Sequence, residues 1–367
     1  MKIGIITLSA SNNCGSLLQT YALKTLLEQF GDVEVINFYS DASHMIYDII
    51  PRNLYKHPRR LIKRLEALPA LYSESKGYTR FRKRAIGISG REIHRPDLIK
   101  ITDKYDIVVA GSDQVWNVMM SDFDEAFLCD WTNSKKVAFA PSLGGHDVRE
   151  SNNSKKYIES IKKFSSLSAR EEFGKKCLEE ITGREVKRIL DPTMVVGTET
   201  WTALIGKPIV EGDYIFFYSW AYNDDNILKI VTDEQIITGL PVYVIDGRKW
   251  VNRCPKTYNY IMSKEQGPLA FLNLMYYANR CYVESFHGVI FAHMFKKNYW
   301  LLDYHKNYEV MDTRLKELCS LLKIQERILT PYNYKSINHN NPILYTDNIQ
   351  LQKLRNESIM YLKEAMI

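Results

Sequence analysis

The stretch KIGIITLSASNNCGSLLQTYALKTLLEQFGDVEVINFY, residues 2–39, decides the fold class. KIGIITL is an apolar run of strand length, and SASNNCGS at 9–16 is a polar loop. Beyond it, apolar residues recur at 18, 22 and 26 and again at 23, 27 and 30, which is helical spacing. Gly31-Asp32 ends that helix, and VEVINFY is the next strand. Two strands joined through a helix run parallel, so the chain is an α/β protein.

Outward from this unit the plan breaks between 41 and 100, where Pro51, Pro58 and Pro69 punctuate short helical pieces of a basic insertion. It resumes with strands in YDIVVAGSD (105–113) and KKVAFAPSLGG (135–145), a helix over 155–170 running into LSAREE, and a short strand in RILDPT (188–193). A second series follows. YIFFYSW (214–220), LPVYVID (240–246), CYVESFHG (281–288) and YWLLDY (299–304) read as strands. GPLAFLNLMYYANR (267–280) and VIFAHMFKK (289–297) read as helices, and the chain ends in another. The expected architecture is two Rossmann-like domains facing a cleft: 1–170 with the insertion, a linker over 171–212, a second domain over 213–340 and a helical segment over 341–367. Ligands of such sheets bind at the carboxyl ends of the strands, so the loops 9–16, 110–117, 141–145, 219–223 and 284–289 are expected to share one crevice.

With 367 residues, 45% hydrophobic and 25% charged, the chain has material for about two domains with full cores. That excludes a disordered chain, a collagen and a coiled coil. No run reaches the roughly 18 apolar residues of a spanning helix, and MKIGIITLSASNNCGS reads as a first strand, not a signal peptide. The cysteines at 14, 129, 177, 254, 281 and 319 form no CxxC pair, the pattern of free thiols in a reducing compartment. No metal site is expected, and the protein reads as cytoplasmic or held at the inner face of a membrane. The net charge is +6, but 52–95 alone holds 13 Lys+Arg against 3 Glu, or +10, leaving −4 for the rest. This segment has no nucleic-acid motif or aromatic platform. An anionic membrane surface is the better functional match, and a solvated helical face is the plain alternative.

Four loops offer chemistry. SASNNCGS opens a helix, where Asn12, Asn13 and the backbone at Gly15 can meet an anion, although locally it reads as a turn with a helix cap. In GSDQVWN, Ser112 makes the turn, Asp113 can accept a sugar hydroxyl or a proton, and Trp116 can stack on a sugar; an Asp cap with a core Trp fits equally. In LSAREE, Arg170 suits a bidentate grip on phosphate or carboxylate, while an ion pair with a neighbouring Glu is the commoner arrangement. ESFHG is the most informative. His287 follows a buried strand and Gly288 opens an apolar helix, and an imidazole titrating near neutrality suits proton transfer. His293, inside that helix, reads as a core histidine.

These loops, in this order, resemble the polysaccharide pyruvyl transferase family. The resemblance runs through NNCGSLLQTYAL, AGSDQVWN, FAPSLGG, LSAREE, LDPT and GPLAFLNLMYYANRCYVESFHGVIFA to RLKELCSLLKIQERI. It implies a GT-B-like fold and transfer of the pyruvyl group of phosphoenolpyruvate to a hydroxyl pair of a cell-surface polysaccharide precursor, giving a ketal. It implies His287 as general acid/base, Asp113 orienting the acceptor or taking its proton, and Arg170 on the donor. Asn12, Asn13, Gly15, Ser112, Trp116, Ser285 and Gly288 would line the substrates. Some members carry an Arg where this chain has Ser285, and Cys14 stands where an aromatic residue is frequent. No cofactor, metal or nucleic acid is implied. A lipid-linked acceptor would bring the basic insertion to an anionic membrane. Two other functions remain open: a GT-B glycosyltransferase using a nucleotide sugar, and a non-catalytic glycan-binding subunit.

Overall fold

The computed structural model describes the chain except residues 51–53, 57–60, 63–64, 66–67, 89, 220–221, 223, 247–257, 306–309, 342, 344 and 346–347. Pro51, Pro58, Cys254 and most of the 219–223 loop therefore lie outside the described residues. The chain divides into two compact units: Met1–Arg52 with Arg80–Val196 and Ile349–Ile367, and Asn53–Thr79 with Gly197–Asn348.

The first unit is built on a parallel sheet of β1 (Lys2–Ile6), β2 (Asp32–Val35), β3 (Ile107–Ala110) and β4 (Lys135–Ala138), in the order β2-β1-β3-β4. Its central strands are apolar on both faces, as parallel strands covered on both sides require: Ile3, Ile5, Val108 and Val109 are wholly buried. Helix α1 (Cys14–Leu27) joins β1 to β2 as the spacing predicts. α2 (Asp41–Tyr47) follows β2. The helix expected over 155–170 stops at Lys162, because Ser168–Ala169 (β5) leaves it to pair with Lys187–Arg188 (β6).

The second unit holds a six-stranded sheet: β7 (Ile215–Tyr218), β8 (Val242–Val244), β9 (Ile261–Met262), β10 (Arg280–Val283), β11 (Asn298–Leu302) and β12 (Ile328–Leu329), ordered β12-β11-β10-β7-β8-β9. Every pair of neighbouring strands in it is parallel. α3 (Pro268–Tyr277) precedes β10, and α4 (Phe286–Met294) crosses from β10 to β11.

The domain bounds differ from the sequence expectation in three places. The first unit continues to Val196. The C-terminal helix α5 (Ile349–Met366) belongs to it instead of standing alone. Arg355 donates to Val195 O at 2.8 Å, Leu190 N donates to Ser358 Oγ at 2.9 Å, and Tyr361 donates to Ala138 O at 2.8 Å. The basic insertion is also divided: Ser73 donates to Lys264 O at 2.8 Å within the second unit. Gly77 is required there, since a Cβ on it would lie 2.0 Å from Gln266 O. Among the described residues, five cysteines are free and buried, and no helix is long and apolar enough to cross a membrane.

Candidate active site

In the first unit, β1 ends at Ile6 and the chain turns through 7–13 into α1. Asn13 caps the helix, its Oδ1 accepting from Gly15 N at 2.8 Å and Ser16 N at 3.4 Å. Leu17 N is taken by Asn13 O. Arg82, buried, gathers the loop. It donates to Ser9 O, Ala10 O, Ser11 O and Asn12 Oδ1 at 2.7–2.8 Å. A guanidinium fork suits four converging acceptors, and charge-assisted bonds are the strong ones. A second chain runs outward: Ser11 Oγ donates to Tyr47 Oη at 3.0 Å, which donates to Asp122 Oδ2 at 3.0 Å. Burial pushes the Asp122 carboxyl above its ordinary range, with Asp113 adding repulsion and the Tyr47 hydroxyl acting against both.

The neighbouring strand β3 delivers Ser112 and Asp113. Asp113 sits at φ 72°, the left-handed region that non-glycine residues rarely enter. Ser142 N holds it from behind, donating to its carbonyl at 2.8 Å. Its carboxylate accepts from Ser16 Oγ at 2.5 Å and Gln114 N at 2.9 Å. Strained backbone held by its surroundings is a mark of functional sites. Ser112 Oγ donates to Asp191 Oδ2 at 3.0 Å, and Arg170 Nη1 meets the same oxygen at 3.0 Å. Arg170 Nε is bonded to Glu171 at 2.7 Å. Burial works against the Arg170 charge, but Glu171, Asp191 and Asp113 outweigh it and raise its pKa.

In the second unit, the carboxyl ends of β7, β10 and β11 are adjacent. Ser219 donates to Glu284 across the first pair. Ser285 caps α4, its Oγ accepting from Gly288 N at 2.9 Å, and Val289 N is taken by Ser285 O. Gly288 is needed here, because a Cβ would lie 2.8 Å from Ser285 Oγ and 3.0 Å from Val283 Cβ. His287 is in the first turn, 8% exposed, its ring edge-on to Phe286. Beyond β11, Asp303 Oδ1 holds His305 Nδ1 at 2.7 Å, and Asp303 is buried. His293 donates to or accepts from Tyr299 Oη at 3.1 Å, and burial lowers its pKa to about 4, as suits a histidine packed on its own helix.

The structure thus gathers Asn12, Asn13, Gly15, Ser112, Asp113 and Arg170 within the first unit, and Ser285, His287 and Gly288 within the second. Three expectations need correction. Trp116 offers no face to a sugar: it is wholly buried, packed edge-on to Phe164, with its indole N–H on Phe127 O. The Arg170 side chain is 3% exposed and paired with Glu171 and Asp191, so the ion pair with a neighbouring Glu is present and both carboxylates already engage the guanidinium. The Gly15 amide offered to an anion is already capped by Asn13, and at the start of α4 the Gly288 amide is likewise capped by Ser285. The sequence reading missed Arg82, Tyr47, Asp122 and the Asp303–His305 pair. Arg82 was one cation among many in the insertion, while Asp303 and His305 carry the one available signal, a position just past an apolar strand.

Comparison with known proteins gives the fold and the family separately. The solved UDP-GlcNAc 2-epimerase of Methanocaldococcus jannaschii is similar with TM-score 0.56 at 12% identity, over 99% of this chain and 100% of that one. Its complex with UDP-GlcNAc and UDP gives 0.54 at 12% identity, over the same shares. The S. aureus MnaA–UDP co-structure gives 0.50 at 14% identity, over 99% of this chain and 97% of that one. At such identities the likeness is one of fold, two Rossmann-like units of the GT-B type. No curated protein matches in sequence. Residues 13–306, which include both clusters apart from Asn12 and the loop residues before it, match the family described as polysaccharide pyruvyl transferase, and the chain belongs to that family of transferases.

Proposed function

We propose that the protein transfers the pyruvyl group of phosphoenolpyruvate to two hydroxyls of a polysaccharide precursor, releasing phosphate and leaving a cyclic ketal. The family match over 13–306 carries this reading. The chemistry asks for few groups. A proton is added to the donor's methylene carbon, and C2 gains oxocarbenium character. The first acceptor hydroxyl adds to C2 and gives up its proton. The C2–O bond to phosphate then breaks with its electron pair leaving on phosphate. The second hydroxyl adds and loses its proton, closing the ketal. Of the two protons released, one replaces that spent on the methyl group and the other leaves with phosphate or solvent. One group that both gives and takes protons near neutrality serves these steps, and His287 is that group.

Charge divides the labour. The first unit's cluster sets Arg82 and Arg170 against Asp113, Asp122, Glu171 and Asp191. Such an excess of carboxylates repels a polyanionic donor and suits the hydroxyls of a saccharide. In this reading Asp113, Asn12 and Ser112 serve the acceptor, and Arg170 positions Asp191 and Ser112 behind them. The donor belongs with His287, from which its methylene carbon takes the proton in this reading.

Phosphate release on incubation with phosphoenolpyruvate and candidate glycans tests the reading, alongside calorimetry with phosphoenolpyruvate alone. Release with at least one acceptor is expected. Neither binding nor release, with stabilisation by a nucleoside diphosphate instead, would overturn it. The membrane component is narrower than the sequence count implies, because Arg82 is buried and Arg95 is paired with Asp124 and Glu125. Between 76 and 84, Lys76, Arg80, Lys83 and Arg84 are exposed. If the acceptor is lipid-linked, sedimentation with anionic vesicles is salt-sensitive and weakens when these four are replaced by Gln.

A further inference from the structure

Away from both clusters, His44, Glu92 and His94 each offer one ligand atom, and the three atoms lie within 4.8 Å of one another. All three belong to the first unit. We infer that they bind a divalent transition-metal ion of the zinc class, with solvent completing the coordination.

The backbone explains how the set is assembled. Ile93 N donates to Asn37 O at 2.9 Å and Tyr39 N donates to Ile93 O at 3.0 Å, a short parallel pairing at the sheet's edge. In extended chain, side chains two apart share a face, so Glu92 and His94 stand together while Ile93 packs on the unit's core. His44 comes from α2, whose N-cap is Ser40 just past the same pairing. The two imidazoles are 5.6 Å apart at 32°, and Tyr39 stacks on His44 at 5.2 Å.

The second observation concerns the nitrogens. His44 Nδ1 lies 3.2 Å from Asp48 Oδ1, and His94 Nδ1 lies 3.2 Å from Tyr39 O. A carboxylate and a carbonyl only accept, so each neutral ring carries its hydrogen on Nδ1 and keeps the lone pair on Nε2. This is the outer support that metal-binding histidines have, with a carboxylate or carbonyl fixing tautomer and ring. His44 Nε2 then faces Glu92 Oε2 at 3.6 Å. In that tautomer two lone pairs face each other, and a metal ion between them, like a proton on Nε2, relieves the repulsion. Ligands about 2 Å from a tetrahedral ion stand roughly 3.3 Å apart, close to that spacing. Two imidazoles with one carboxylate suit zinc, cobalt or nickel better than calcium or magnesium.

The consequence is local order. Tyr47, three residues beyond His44 on α2, carries the hydrogen bonds to Ser11 and Asp122. An ion joining α2 to 92–94 holds Tyr47 in place. No spacing in the sequence announces the site, since Glu92 lies 48 positions beyond His44.

Chelator-treated full-length protein is titrated with zinc by calorimetry and with cobalt by visible absorption. Wild type is expected to take one equivalent, to melt higher with metal, and to exchange amide hydrogens in 41–48 more slowly. Glu92 is exposed, so Glu92→Gln tests the carboxylate with little risk to folding; it and His94→Gln should weaken binding at least tenfold. Asp48→Asn should weaken it about tenfold through His44. His146→Gln, at an exposed histidine paired with Glu150, should change nothing. Equal affinity in wild type, Glu92→Gln and His94→Gln, or the lack of a saturable first equivalent, would overturn the inference. Neither result bears on the transfer reaction, so the two readings fail separately.

Discussion

Ser16 and Asp113 are 97 positions apart in the chain, yet Ser16 Oγ donates to Asp113 Oδ2 at 2.5 Å in a buried setting. The bond ties the first turn of α1 to the end of β3, and it bears on a residue held at φ 72°. Ser16→Ala leaves a buried carboxylate oxygen short of a donor, at a cost of about 1–3 kcal/mol. A lowered melting temperature with a larger proportional loss of turnover is expected. Unchanged turnover at lowered stability would make the bond purely structural.

Arg170 distinguishes a clamp from a brace. Its guanidinium is bonded to Glu171 and Asp191. Removing one member of a buried pair is strongly destabilising, about 3–5 kcal/mol, because the partner charges are left uncompensated. Arg170→Met is therefore expected to lower the denaturation midpoint markedly. A donor clamp predicts the contrary, a raised KM for phosphoenolpyruvate at unchanged stability. Denaturant titration and kinetics on one preparation decide between them.

What was legible and what was not follows one physical line. The α1 periodicity and the apolar run of β1 are local, and each settles its element without help from the rest of the chain. The place of His287 at a strand-to-helix junction was readable for the same reason, since strand, turn and helix are contiguous around it. For Arg170 the ion pair with Glu171 was readable but the bond to Asp191 was not, because Asp191 comes from 21 residues on and the meeting of the two depends on β5 pairing with β6. Trp116 failed similarly: a Trp after a strand-end turn has the same local sequence whether it packs inward on Phe164 or outward on a sugar. The return of α5 to the first unit is longer-range still, since Tyr361 reaches the carbonyl of Ala138.

The raised Asp122 carboxyl gives a stability prediction with a definite sign. Burial is the main cause, and the folded state therefore holds the proton more tightly than the unfolded chain does. Stability is lost as pH rises from about 3.9, the unfolded value, through the raised folded one. Asp122→Asn keeps an acceptor for Tyr47 and removes the buried charge. The variant is expected to be at least as stable as wild type at pH 7, with the gain shrinking as pH falls toward about 4. A variant less stable at pH 7 would mean that the ionised form is the favoured one.

Arg82 bears on the loop itself. Four acceptors from residues 9–12 converge on it. Arg82→Ala strands three carbonyls, each costing about 1–3 kcal/mol if left unpaired, less whatever water recovers. Lysine has the charge but not the planar fork, so Arg82→Lys should restore only part of the loss. Accelerated proteolysis or amide exchange in 7–13 in both variants is the measurement. Full rescue by Lys would show that charge alone matters there.

Two histidines leave the ends of adjacent strands, His287 after β10 and His305 after β11. His305 has a buried carboxylate on Nδ1 at 2.7 Å, the arrangement that fixes a ring for proton transfer, while His287 stands in the first turn of α4 against Phe286. Removing a general acid/base typically costs about 10²–10⁴-fold in rate. If His287 carries the protons, His287→Gln loses that much kcat and the pH dependence of turnover flattens, with the melting temperature nearly unchanged. His305→Gln then retains the wild-type pH profile, with kcat altered by less than tenfold. The reverse pattern, a flattened profile in His305→Gln and in Asp303→Asn but not in His287→Gln, would move the acid–base role to the Asp303–His305 pair while leaving the transfer reaction itself in place.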